Sequence, residues 1–116
     1  MSCIFCKIID GKIPSTKVFE NEHVIAIRDI NPVAPVHVLV IPKTKDYHLD
    51  SILDITKADG DLIVEIHKAI KEVAVLTGIC KDGFRIINNC GKFGGQTVDH
   101  LHFQVIGGKN MGERLI

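Results

Sequence analysis

With 116 residues, 46% of them hydrophobic and none of them tryptophan, the chain has the size and apolar content of one domain spanning 1–116. Fourteen Lys and Arg balance fourteen Asp and Glu, so it lacks the basic surface that non-specific nucleic-acid or membrane binding relies on, and an anionic ligand must be held by local groups. No basic stretch leads into a long apolar run, and no apolar run nears the ~20 residues of a membrane helix, so no nucleic acid, no membrane and a cytoplasmic location are expected.

In chain order, Cys3 to Asp10 can make two helical turns, stopped by Gly11 and followed by extended chain at Pro14. Lys17 to Phe19 and His23 to Arg28 read as a hairpin turning at Glu20-Asn21-Glu22. Asp29-Ile30-Asn31-Pro32 breaks that pattern and leads through Pro35 into a strong strand, Val36 to Ile41, which Pro42 ends. The spacing predicts one long helix from about Thr56 to Thr77. Thr56 and Asp59 stand in capping-box register, and Leu62, Ile66, Ala69, Ile70, Val73 and Leu76 form an apolar stripe. Gly78 is a natural stop, and Gly60 in the first turn allows a later start. Two further strands, Phe84 to Asn88 and Val98 to Ile106, are joined by a glycine-rich loop. The sum is α+β: about five strands in an antiparallel sheet, with one long and one short helix. Because the long helix connects strands only once, repeated parallel βαβ units are excluded.

The chemistry concentrates in Gly94-Gly95-Gln96-Thr97-Val98-Asp99-His100-Leu101-His102-Phe103-Gln104. Alternation on a strand puts His100, His102 and Gln104 on one face and Leu101, Phe103 and Val105 in the core. Imidazoles in a row are costly to bury without polar company. A neutral imidazole can attack phosphorus, and the loop just upstream offers Gly94 and Gly95 N–H groups with the Gln96 and Thr97 side chains for phosphate oxygens. His-Leu-His alone is equally what an amphipathic edge strand shows; the preceding Gly-Gly-Gln-Thr makes the difference. It is not a P-loop, since the Lys-Ser/Thr ending is missing and a strand follows.

These segments, with Ile4-Phe5-Cys6-Lys7-Ile8-Ile9, Ile13-Pro14-Ser15, Arg28-Asp29-Ile30-Asn31-Pro32, His37-Val38-Leu39-Val40-Ile41-Pro42-Lys43 and Asn88-Asn89-Cys90-Gly91, occur in the order and spacing of the histidine-triad family. The chain resembles its short Hint-like nucleoside phosphoramidases over nearly its whole length. The resemblance implies that His102 is the nucleophile that becomes nucleotidylated and that Asn89, Gly95, Gln96 and Thr97 hold phosphate. Asp29 would bind the ribose hydroxyls, and Ile4, Phe5, Ile8, Ile27 and Ile30 would wall a purine. His37 would support the catalytic row formed with His100 and Gln104. It also implies a homodimer acting on a purine nucleoside monophosphate or a derivative.

The family signature has a third histidine where this chain has Gln104. Glutamine cannot transfer a proton near neutral pH, help that is worth ~10²–10⁴ in rate for a poor leaving group such as an amine. The distant galactose-1-phosphate uridylyltransferases also carry glutamine there and still form a nucleotidyl-histidine, so covalent chemistry survives, with good leaving groups favoured.

Cys3-Ile4-Phe5-Cys6 has the spacing for two thiolates on one ion. In a reducing compartment the four cysteines read as free or metal-bound. Resemblance to some bacterial relatives and to the uridylyltransferases implies structural zinc on Cys3, Cys6, His48 and His100, with Lys45-Asp46-Tyr47 as an insertion. Two functions compete: a nucleotidyl hydrolase or transferase working through His102, and a zinc-stabilised nucleotide-binding or signalling module with little turnover. A zinc module for nucleic acid is disfavoured by neutral charge and the scarcity of stacking aromatics.

Overall fold

Residues 3–44 and 48–116 are described by the computed structural model, and the insertion expected at 45–47 lies outside them. The elements in order are α1 (Ile4–Ile9), β1 (Lys17–Glu20), β2 (Val24–Arg28), β3 (Val36–Pro42), 3-10 turns at Ile52–Asp54 and Lys57–Asp59, α2 (Gly60–Thr77), β4 (Phe84–Ile87) and β5 (Phe103–Gly107). The strands form one antiparallel sheet in the order β1-β2-β3-β5-β4. No helix among the described residues is long and apolar enough to cross a membrane.

β2 and β3 are near-continuous apolar runs because both sheet faces are covered there. On one face α2 packs Ile66, Ala69, Ile70 and Val73 onto Val24, Ala26, Val38, Val40, Phe103 and Val105. On the other, α1 sets Phe5 and Ile8 against Ile25, Ile27, Leu39 and Ile41. Strand periodicity of two assigns alternate residues to these two clusters.

The helix stripe runs as the spacing predicts from Leu62 to Val73, but its expected last member, Leu76, is exposed and Ala74 is buried instead, and α2 starts at Gly60. Thr56 and Asp59 do form a capping box; it caps the 3-10 turn Lys57–Asp59, which feeds into the helix. Gly78 ends α2 with φ +76°, donating its N–H back to Ala74 and Val75 carbonyls.

One expected strand is corrected. Val98 to Ile106 pairs in the sheet only over Phe103–Gly107. The ladder with β3 runs from Val36↔Gly107 to Val40↔Phe103, and continuing it would bring Leu101 opposite Pro42. Proline has no N–H to donate, so pairing fails at that end. The freed groups find other partners: Leu101 N–H donates to Leu49 O at 2.8 Å, and Asn88 Nδ2 donates to His102 O at 2.9 Å.

Candidate active site

Although β5 starts late, extended alternation persists upstream of it. Leu101, Phe103 and Val105 enter the α2-side core. His102 turns to the opposite face, where its ring meets Phe5 edge-on at a centroid distance of 5.0 Å. Gln104 follows it on that face, paired with Leu39 of β3 and Ile87 of β4. His37 lies beside this row, with its Nε2 2.7 Å from Gln104 Oε1. His37 and Gln104 are thus in contact, with His102 on the same face two residues before Gln104.

Hydrogen-bond partners fix where each proton sits. His102 Nδ1 lies 2.8 Å from the His100 carbonyl, which can only accept, so Nδ1 carries the proton and Nε2 keeps its lone pair. His102 is buried, with 7% of its surface exposed, and the nitrogen left to act as nucleophile in the neutral ring is Nε2. By the same logic His100 donates from Nε2 to the Pro42 carbonyl at 3.0 Å, leaving Nδ1 as an acceptor. Burial holds the His100 pKa below its ordinary value, only partly offset by the Pro42 bond, and so favours the neutral form.

That free Nδ1 of His100 points at sulfur. It lies 3.4 Å from Cys3 Sγ and 3.5 Å from Cys6 Sγ, and the three form the potential metal-ligand group found among the described residues. Cys3 is the N-cap of α1, and its sulfur accepts the Cys6 N–H, which brings both side chains to the same end of the helix. The two sulfurs stand at disulfide distance, a pairing the sequence reading did not expect. With the pair reduced to thiolates, two sulfurs and an unprotonated imidazole nitrogen would be a donor set that suits zinc. His48 stacks edge-on with His100 at 4.9 Å, but its Nε2 donates to Asp99 O at 2.6 Å and meets Asp50 Oδ1 at 2.9 Å. It adjoins the cluster without joining it.

The glycine loop is braced from within. Gly94 presses so closely on Cys90 that a Cβ there would stand 2.4 Å from the Cys90 carbonyl oxygen, and Gly95 has φ +80°. The Gly95 and Gln96 N–H groups donate to Lys92 O and Gly91 O. Gln96 was expected to hold phosphate through its side chain; instead its Oε1 accepts from Gly91 N and its Nε2 donates to Asp50 O and Val98 O. Those bonds use both amide hydrogens, so the side chain serves the loop. Asn89 reaches the loop by donating to Gly94 O at 2.7 Å, and Thr97 is exposed.

At the other border of the row, Asp29 Oδ2 lies 3.5 Å from His37 Nε2, and Oδ1 accepts the Asn31 N–H. Of the proposed purine wall, Phe5, Ile8 and Ile27 are buried in the α1-side cluster. Ile4 and Ile30 are exposed, Ile30 to 92%, which leaves apolar surface free beside Asp29. A cleft of about 530 Å³ between Gly78, Phe84 and Met111 contains none of these residues, and its lining offers no imidazole, so the chemistry is assigned to the histidine face. Sequence reasoning missed Val33, whose N–H donates to His37 Nδ1, and the Pro42 carbonyl. Backbone contacts of this kind leave no mark in side-chain patterns.

Comparison with known proteins adds to this geometry. Residues 2–115 match the family model described as scavenger mRNA decapping enzyme C-term binding. A solved HIT family hydrolase from Clostridium thermocellum superposes with a TM-score of 0.93 at 48% identity, covering 99% of this chain and 97% of that one. A HIT-like protein of Azospirillum brasilense is 41% identical over 94% of this chain and 88% of its own length. A 14 kDa zinc-binding protein of Zea mays is 42% identical over 93% of this chain and 83% of its own.

Proposed function

The chain belongs to the histidine-triad (HIT) family, and from that membership we propose that it is a nucleotide-binding hydrolase or transferase, phosphoramidase-like, that attacks the α-phosphate of purine nucleoside 5′-phosphate derivatives. The observation that carries this is the 2.8 Å contact between His102 Nδ1 and the His100 carbonyl, which leaves Nε2 to bear the lone pair of the neutral ring.

In the first step His102 Nε2 bonds to the α-phosphorus, and the bond to the leaving group breaks, its electron pair departing with that group. Water or another acceptor then attacks phosphorus, the P–N bond breaks, and the electron pair returns to Nε2; the attacking group gives up its proton to solvent. Asn89, Gly95 and Thr97 are assigned to the phosphate shell, the Gly95 N–H exchanging its bond to Lys92 O for one to a phosphate oxygen, with Gln96 bracing their loop, and Asp29 to the ribose. Ile4, Phe5, Ile8, Ile27 and Ile30 are assigned to the purine. Gln104 has no ionisable proton for the leaving group, and the His37 proton is directed at Gln104, so groups that depart unprotonated are favoured.

When bound, zinc would supply a structural tie between the start of α1 and the segment carrying His102, held by Cys3, Cys6 and His100, and His48 would join as fourth ligand only by turning away from Asp99 and Asp50. A homodimer through the sheet edge is supported by β4, an outer strand on which Ile86 and Ile87 are exposed.

The test is incubation with a nucleotide carrying an activated leaving group, followed by mass spectrometry. We expect one nucleotidyl adduct on His102, absent in His102→Ala. Nucleotide binding without any adduct would instead support the second reading, a zinc-stabilised nucleotide-binding module, which the missing proton donor at Gln104 favours.

A further inference from the structure

Gln104 stands in the middle of a run of hydrogen bonds that all point the same way. Val33 N–H donates to His37 Nδ1 at 3.1 Å, so the single proton of the neutral ring sits on Nε2 and faces Gln104 Oε1 at 2.7 Å. That bond sets which end of the carboxamide is which. Its Nε2 then donates to Asn89 Oδ1 at 2.6 Å, and this in turn sets the Asn89 amide, whose Nδ2 donates to Gly94 O at 2.7 Å. The run starts on the loop that follows Asp29 and ends on the glycine loop, at a residue already wedged against Cys90. Polar groups in such a chain orient one another, and each is costly to leave unpaired.

We propose that Gln104 is a positioning residue that sets the glycine loop through Asn89, so that its contribution to the reaction is to phosphate binding. This rests on the functional reading above for what occupies the loop, though not for the relay itself. The required chemistry at position 104 is an acceptor on the His37 side and a donor on the Asn89 side. A carboxamide supplies both, and a neutral imidazole can do the same through its two nitrogens, whereas a thioether supplies neither.

The experiment compares Gln104→Met, Gln104→His, Asn89→Ala and the Gln104→Met/Asn89→Ala double variant. Calorimetry gives the Kd of adenosine 5′-monophosphate and of adenosine, and amide hydrogen exchange is followed over residues 92–96. Gln104→Met and Asn89→Ala should each weaken the monophosphate about tenfold and adenosine less than about twofold, the size expected for one lost network hydrogen bond. The double variant should resemble either single variant, because both cut the same chain. Gln104→His should stay within about threefold of the native protein, and loop exchange should quicken in Gln104→Met. Losses that multiply in the double variant, or loop exchange unchanged by Gln104→Met, would overturn the relay. If the native protein binds no monophosphate, the nucleotide reading fails while the exchange data still decide whether Gln104 holds the loop.

Discussion

The two faces of the sheet are built from the same strands yet hold different things. Under α2 the surface is apolar throughout, from Val24 and Ala26 to Val38, Val40, Phe103 and Val105. Under α1 the apolar patch stops partway: Ile25, Ile27, Leu39 and Ile41 give way to His37 and Gln104, which bond each other, and to His102, whose Nδ1 bonds the His100 carbonyl. The comparison separates two uses of burial. One face removes apolar area from water, and the other uses a partly dry surface to fix proton positions, which water would scramble.

Substitutions on the two faces should therefore part company. His102→Ala should lower turnover by a factor on the order of 10⁴ or more, as nucleophile removal does elsewhere, while the thermal midpoint moves little. A comparable loss of stability would erase the distinction between the faces. Ile66→Ala, at a fully buried position under α2, should cost about 2–5 kcal/mol in chemical denaturation with the active fraction unimpaired per folded molecule. At the joint between α1 and the histidine segment, Cys3→Ser should drop zinc content from near one equivalent per chain towards none in elemental analysis of the purified protein. Native protein without zinc would remove the metal from the account.

The smallest effect lies at the sheet margin, far from either use. Hydrogen bonds from Lys43 and Lys17 hold the Glu20 carboxyl below its ordinary pKa. A depressed folded-state value means the pair stabilises above the unfolded pKa and that this is lost as pH falls through the folded one. For such an exposed pair, Lys43→Ala should reduce stability at neutral pH by only about 0.2–1 kcal/mol, and the difference between the two proteins should vanish in strong acid.

Much of the fold was legible because periodicity is local. The stripe on α2, the hairpin through Asn21 and the apolar run of β3 follow from spacing alone, and the Cys3-x-x-Cys6 and His100-x-His102 pairs could be located by inspection. The extent of β5 could not be read that way. Val98 to Ile106 alternates as a strand should, and what cuts it short is Pro42, which strand order places opposite its beginning. The Gln96 side chain was hidden for a related reason: an amide able to hold phosphate can equally brace its own loop, and its bonds to Gly91, Asp50 and Val98 come only with the fold.

The sequence by itself determined which residues alternate, which faces are apolar and which side chains can carry a proton or a lone pair. Tertiary structure alone decided where those protons sit. The Pro42, His100 and Val33 backbone groups that dictate the His100, His102 and His37 tautomers come into reach through strand pairing and a turn. A hydrogen bond acts over about 3 Å, and only the folded chain brings groups 58 residues apart, as His100 and Pro42 are, to that separation.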